Sequence, residues 1–98
     1  MRISLHKFGT TLISRQMGKE AHAAFLPTLR GVKDDEKIEI DFSGVVTFSP
    51  SWGDEFITPL VDQYGERLSF LHSKANPSVV LTLELLEKIK QHKFRIVS

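Results

Sequence analysis

The sequence predicts a small single-domain α/β fold spanning residues 1–98, a mixed β-sheet with helices packed mainly on one face. Two observations carry this. Short segments with the period of a half-buried strand alternate with longer segments whose apolar residues recur at helical spacing. Two of the helical segments also open on a cap followed by proline, Ser49-Pro50 and Asn76-Pro77, where a missing N–H costs nothing and φ is already helical.

Taken in order, Ile3 and Leu5 with Phe8 predict an opening strand that Gly9 and the threonine pair terminate. Ser14 then caps a helix with Met17, Ala21, Ala24, Phe25 and Leu29 on its apolar side, Gly31 as its stop and Pro27 as a kink or early end. After the polar turn KDDE, Ile38, Ile40 and Phe42 alternate with Glu39 and Asp41, the period of a strand with one buried face. Gly44 ends or bends it. Ser49 and Pro50 start the second helix, with Asp54 and Glu55 in or near the first turn, where the helix dipole favours negative charge. Trp52, Phe56, Leu60 and Tyr64 ladder down one face, Ile57 and Val61 widen it, and Gly65 supplies the stop, with a bend expected at Pro59. RLSFLHS returns as a strand. Asn76-Pro77 opens a third helix with Val79, Val80, Leu83, Leu86 and Ile89 on its apolar side, Glu84 and Lys88 pair on its surface, and FRIV forms a last short strand. Helices are expected near residues 14–30, 50–64 and 77–92. Functional loops in such folds follow the carboxyl ends of strands, and GVVTFSPS is one of these.

Composition narrows the function classes. The chain is 41% hydrophobic and 26% charged, ordinary for a globular domain and too apolar for a disordered one. No apolar run approaches the roughly 18 residues of a membrane span, and the start MRISLHKFG lacks a signal peptide's apolar core, so a cytoplasmic protein without membrane attachment is expected. The chain has no cysteine, which excludes thiolate chemistry and disulfides. Its four histidines, His6, His22, His72 and His92, show no i, i+4 pair, so no metal is expected. Neither a P-loop nor G-x-G-x-x-G occurs, no cofactor is expected, and Ser51, Asp54 and His72 lack the G-x-S-x-G context of a hydrolase. The sequence reads as non-enzymatic. Lys88, Lys90, Lys93 and Arg95 complement a helix terminus, without the stacking aromatics of a nucleic-acid site.

Charge is balanced overall at +1 but not along the chain: Ile38 to Glu66 holds Glu39, Asp41, Asp54, Glu55, Asp62 and Glu66 and no Lys or Arg. These acids either solubilise one side of a strand and helix or rim a docking surface for a basic partner. Arg15, a cation at a helix start, opposes the dipole there, so it calls for a tertiary carboxylate, Asp41 for example, or for a bound anion. Trp52 is either core or the anchor of a protein contact.

Ser14-Arg15, Asp41-Phe42-Ser43-Gly44-Val45 and Ser51-Trp52-Gly53-Asp54-Glu55 together resemble the STAS-like domain family of unknown function, related in fold to the STAS domains of anti-sigma-factor antagonists. The resemblance implies a regulatory protein-protein interaction module that docks on a histidine-kinase-like ATPase and is switched by phosphate on a serine at this helix start. The sequence departs from that pattern at the acceptor: Ser49 replaces the usual acidic residue and Pro50 stands at the first serine. Ser51 matches the second serine, which leaves Ser51, and behind it Ser49, as phosphorylation sites. The implied partner surface is Phe48, Ser49, Ser51, Trp52, Asp54 and Glu55. The alternative is a small-ligand or nucleotide-sensing domain that holds an anion between Arg15 and the loop at Gly44. The oligomeric state is left open.

Overall fold

In the computed structural model, which describes residues Met1–Ser98, the elements run β1 (Arg2–Ser4), a 3-10 turn (Leu5–Phe8), β2 (Thr11–Leu12), α1 (Arg15–Leu29), β3 (Ile38–Asp41), β4 (Thr47–Phe48), α2 (Pro50–Tyr64), a 3-10 turn (Gly65–Arg67), β5 (Leu68–Leu71) and α3 (Pro77–Lys90). The small α/β class and the three helices are those the sequence predicts. Strands β1, β3 and β5 form one sheet in that order, and β2 and β4 form a second. All named strand pairings are parallel, where a mixed sheet is expected from the sequence. The reason is the connectors: helices carry the chain from β1 to β3 and from β3 to β5, and a crossover of that kind brings the next strand back in the same direction. The expected FRIV strand reduces to a single parallel bridge between Ile96 and Phe70.

Register fixes which side of the sheet is inside. Ile3, Ile40 and Phe70 are paired across the three strands and lie at 0–1% exposure, while the adjacent row of Arg2, Glu39 and Ser69 is exposed or half-buried. One core cluster joins the inner row to Phe25 of α1, Phe56 of α2 and Leu86 of α3. The helices therefore cover one face of the sheet.

The first strand is shorter than its pattern implied. In extended chain Leu5 and Phe8, three residues apart, point to opposite faces. A 3-10 turn aligns residues at i and i+3, so both turn inward together. Leu5 is fully buried, and the Phe8 ring lies 5.2 Å from Phe56 and 6.2 Å from Phe25. Gly9, at φ 127°, allows the exit from this turn into β2.

Helix α1 begins as expected, with Met17 N–H donating to the Ser14 hydroxyl at 3.0 Å. It continues through Pro27 and is capped by Arg30 rather than Gly31. Its buried face is Gly18, Ala21, Phe25 and Leu29, not the Met17 and Ala24 expected from periodicity; Met17 is 56% exposed. The stripe moves one residue because α1 lies backbone-close to α2. A Cβ on Gly18 would stand 2.7 Å from the Trp52 carbonyl oxygen and 3.0 Å from its Cα.

Helix α2 buries Trp52, Gly53, Phe56, Ile57, Leu60, Val61 and Tyr64 and stops at Gly65, at φ 53°. Trp52 stacks on Phe56 with centroids 5.0 Å apart. On α3 the Asn76 side chain accepts from the N–H groups of Ser78 and Val79, and the buried residues are Val79, Thr82, Leu83 and Leu86. Ile89, expected on this face, is 59% exposed.

Because the α1–α2 contact is backbone against backbone, Gly18→Ala tests it by sign. In an open helix the change stabilises by about 1 kcal/mol through propensity. Here the methyl meets a carbonyl that cannot rotate away, so a net loss of about 1–3 kcal/mol is expected. Urea denaturation measures it, and a variant more stable than the parent would show that the helices are not in this contact.

Candidate functional site

The segment from the end of β3 to the first turn of α2 is held from two sides by polar side chains. After Asp41, whose carboxylate accepts from the Ser43 N–H at 2.9 Å, Gly44 turns at φ 85° with the His6 ring against it. On the β2 side, the N–H groups of Val46 and Thr47 donate to the Thr10 carbonyl and that of Ser49 donates to Leu12 at 2.9 Å. The Ser49 hydroxyl donates to the Ile13 carbonyl and accepts from Trp52 N–H at 3.2 Å. It is thus both the cap of α2 and its tie to the start of α1.

On the α3 side, the Ser78 hydroxyl accepts from Phe48 N–H at 2.8 Å and donates to Phe48 C=O at 3.0 Å. Thr82 donates to the same carbonyl at 2.7 Å, and the Asn76 amide donates to the carbonyls of Val45 and Val46, both at 3.0 Å. A two-residue strand has few ladder bonds of its own, so these side chains complete its pairing. The starts of α1, α2 and α3, capped by Ser14, Ser49 and Asn76, thereby gather around one loop.

Arg15 bridges α1 to α2. Its Nη1 donates to Asp54 Oδ2 at 2.9 Å and to Glu55 Oε1 at 3.0 Å. Both acids lie in the second turn of α2, not the first, so what fixes them is this guanidinium rather than the helix end. The hydrogen bond from Arg15 holds the Asp54 carboxyl below its ordinary range against the opposing effect of burial, with Thr58 Oγ1 donating to the other oxygen at 3.1 Å. The expected partner Asp41 instead meets His72 Nδ1 at 2.8 Å. Burial pushes the Asp41 carboxyl up, but the Ser43 N–H and His72 together outweigh it and hold it low.

The basic side chains that meet the acidic stretch come from outside it. Glu39 pairs with Arg2, Asp62 with Lys90, Asp54 and Glu55 with Arg15, and Asp41 with His72. Three of the six negative charges are thus balanced by Arg2, Arg15 and Lys90.

The surface residues expected from the sequence separate into two groups. Phe48 and Trp52 are each 1% exposed, and their rings pack on one another at 6.0 Å inside the core. Ser51, Asp54 and Glu55 are half-buried, and Pro50 is exposed beside them. What sequence reasoning missed are the exposed apolar side chains near this end, Ile13 at 50%, Met17 at 56% and Val46 at 64%. Ile13, immediately before the Ser14 cap, was the available signal for the first of these. The other omission was the α3 wall of Asn76, Ser78 and Thr82, which pairs with the loop across about thirty residues. No cavity opens at Arg15 or Gly44. A cavity of about 300 Å³ lies at the other end of α2 between Val61, Leu68, Phe70, His92 and Phe94.

The Ser78 clamp and the Arg15 bridge each give a measurable expectation. Ser78→Ala leaves the half-buried Phe48 N–H without a partner, at a cost of about 1–3 kcal/mol in denaturant unfolding; an unchanged midpoint would show that the clamp contributes nothing. Arg15→Gln acts through linkage. Since folding lowers the Asp54 pKa, the stabilisation is present above the unfolded carboxylate range and is lost as pH falls through the lower folded value. The stability difference between the parent and Arg15→Gln is therefore present at neutral pH and shrinks in acid. A difference that stays constant across that range in pH-dependent melts would contradict the bridge.

A family model described as a STAS-like domain of unknown function (DUF4325) matches residues 27–79, from the last turn of α1 through β3, β4, α2 and β5 into the start of α3. No curated protein and no solved structure matches the chain. The match takes in more than half of the 98 residues, including the whole segment clamped between β2 and α3. The chain belongs to the STAS-like domain family of unknown function.

Proposed function

We propose that the protein is a non-catalytic regulatory module that binds a protein partner through the end of the molecule where α1 and α2 begin. The observation that carries this is the exposure of Ile13 and Met17 beside exposed Pro50, at a place where the backbone is held rigidly and no cavity opens. A rigid surface with apolar side chains at its centre and charges at its edge suits a protein contact better than a small ligand. The reading of Arg15 as an anion site loses ground on the same geometry, because its guanidinium already serves two carboxylates. The resemblance in sequence to anti-sigma-factor antagonists makes a kinase-like ATPase the partner class to test first.

Control by phosphate at this turn falls to Ser51. Pro50 has no hydroxyl, and the Ser49 hydroxyl is bound at both its donor and its acceptor side. Ser51 precedes Asp54 and Glu55 by three and four residues, the spacing that places helical side chains on one face. A phosphate there competes with both carboxylates for Arg15 and so acts on the tie between α1 and α2.

The test is reconstitution with a purified partner. ATPase-class proteins retained from native lysate are expressed and titrated against the parent, an Ile13→Asp/Met17→Asp variant and Ser51→Asp. The double variant is expected to weaken binding by at least about tenfold with little change in melting temperature, since both residues are exposed. Ser51→Asp is expected to weaken the same complex and to speed amide exchange at the start of α1. Retention of no ATPase-class protein, or full affinity of the double variant, would overturn the proposal.

A further inference from the structure

Helix α3 carries two apolar lines, and only one of them is used within the chain. Val79, Thr82, Leu83 and Leu86 face the core, while Leu81 at 66%, Leu85 at 41% and Ile89 at 59% exposure lie outside. Single exposed apolar residues are normal on any surface. Three at a spacing of four form something else: a continuous stripe along most of the helix, drifting by about 40° at each step. Beside it stand Glu84 and Lys88, both exposed. Their spacing and order are those of a stabilising intrahelical pair. That pair is not made; the ion pairs of this region join Lys90 to Asp62 and Lys93 to Glu87.

We propose that this face of α3 is the interface of a symmetric homodimer, in which α3 of a second copy packs against it antiparallel. The charges select this occupant. About Leu85, at about 100° per residue, Glu84 and Lys88 fall on the same edge of the stripe, the first about 1.5 Å before Leu85 along the axis and the second about 4.5 Å after it. A two-fold axis through Leu85, lying in the interface and perpendicular to the helix, keeps that edge on one side and reverses the axial direction. Glu84 of one copy then falls within about 3 Å, along the axis, of Lys88 of the other, twice over, against a single Glu84–Glu84 approach at the same axial offset. Leu81 meets Ile89 of the other copy and Leu85 meets its own equivalent. A parallel arrangement puts the two edges on opposite sides and leaves all four charges unpaired. A uniformly acidic or basic partner helix satisfies only one of the two signs. The pattern is self-complementary in the antiparallel sense alone.

Three aliphatic side chains and their flanks are modest against the roughly 1,000 Å² that a specific interface buries, so the dimer is expected to be reversible with a micromolar dissociation constant. It does not depend on the partner surface at the start of α2. Sedimentation velocity from low to high micromolar protein is expected to show a monomer that converts to dimer. Leu85→Glu places two like charges at the axis and is expected to keep the protein monomeric throughout, with a normal melt because the site is partly exposed. Glu84→Lys and Lys88→Glu are each expected to weaken self-association by about tenfold, and mixing the two variants restores a heterodimer of near-parental affinity. A parent that stays monomeric overturns the inference. So does a dimer that survives Leu85→Glu, or single-charge variants that self-associate as well as the parent.

Discussion

The backbone contact between Gly18 of α1 and Trp52 of α2 is the constraint from which the rest of the arrangement follows. The next residue, Gly53, makes the corresponding approach on the other side: a Cβ there would stand 2.9 Å from the Phe48 ring and 3.0 Å from Leu86. Consecutive residues in the first turns of α2 therefore touch α1 and α3, and the helix has no lateral freedom at its start. Glycine inside a helix costs about 1 kcal/mol relative to alanine. The chain carries that cost twice at the point of closest packing, and the compensation is the burial of Trp52, Phe56 and Phe48 between the elements so brought together. Arg15, three residues before Gly18 on α1, reaches Asp54 and Glu55 because the helices are already this close.

The same closeness changes the meaning of the charge pattern. In the linear chain the acids from Glu39 to Glu66 look like a negative surface awaiting a positive partner. In the fold each meets a side chain from another element, Glu66 excepted: Glu39 meets Arg2 from β1, Asp54 and Glu55 share Arg15 from α1, Asp62 meets Lys90 from α3, and Asp41 is hydrogen-bonded to His72 from beyond β5. These pairs are mostly exposed, and isolated surface pairs contribute little stability. Six carboxylates meet only three full cations, Arg2, Arg15 and Lys90, so the stretch keeps a net negative charge in the fold.

What could be read from the sequence was whatever is decided within one or two helical turns. Ser14, Ser49-Pro50 and Asn76-Pro77 announce helix starts because a cap and a proline act on the backbone next to them, and Gly65 announces a stop for the same reason. The apolar face of α2 was legible because nearly all of it is buried. Errors arose where burial is decided by a distant element. Periodicity places Met17 and Ile89 with the core as well as it places Gly18 and Leu86, and only the positions of neighbouring helices separate them. Strands β2 and β4 are two residues each, too short for a period, and their pairing rests on Ser49, Asn76 and Ser78. Trp52 could be core or contact on sequence grounds; its neighbours Phe8, Phe48 and Phe56 decide for core.

The Ser-Pro-Ser turn joins β4 to α2 and ties α2 to the start of α1. Its first serine is consumed by structure, since one hydroxyl closes the cap of α2 and also joins it to Ile13. Its proline fits the first helical position and carries no hydroxyl. Only the third residue is left with a hydroxyl outside the cap, one turn ahead of two carboxylates that share a single guanidinium. In the proposed reading, a charge added at Ser51 has no spare cation to meet within this turn, so it must either draw Arg15 away from Asp54 and Glu55 or remain unpaired beside them. Either outcome loosens the edge at which α1 and α2 present Ile13 and Met17. In that reading, regulation at Ser51 would operate through the packing of two helices.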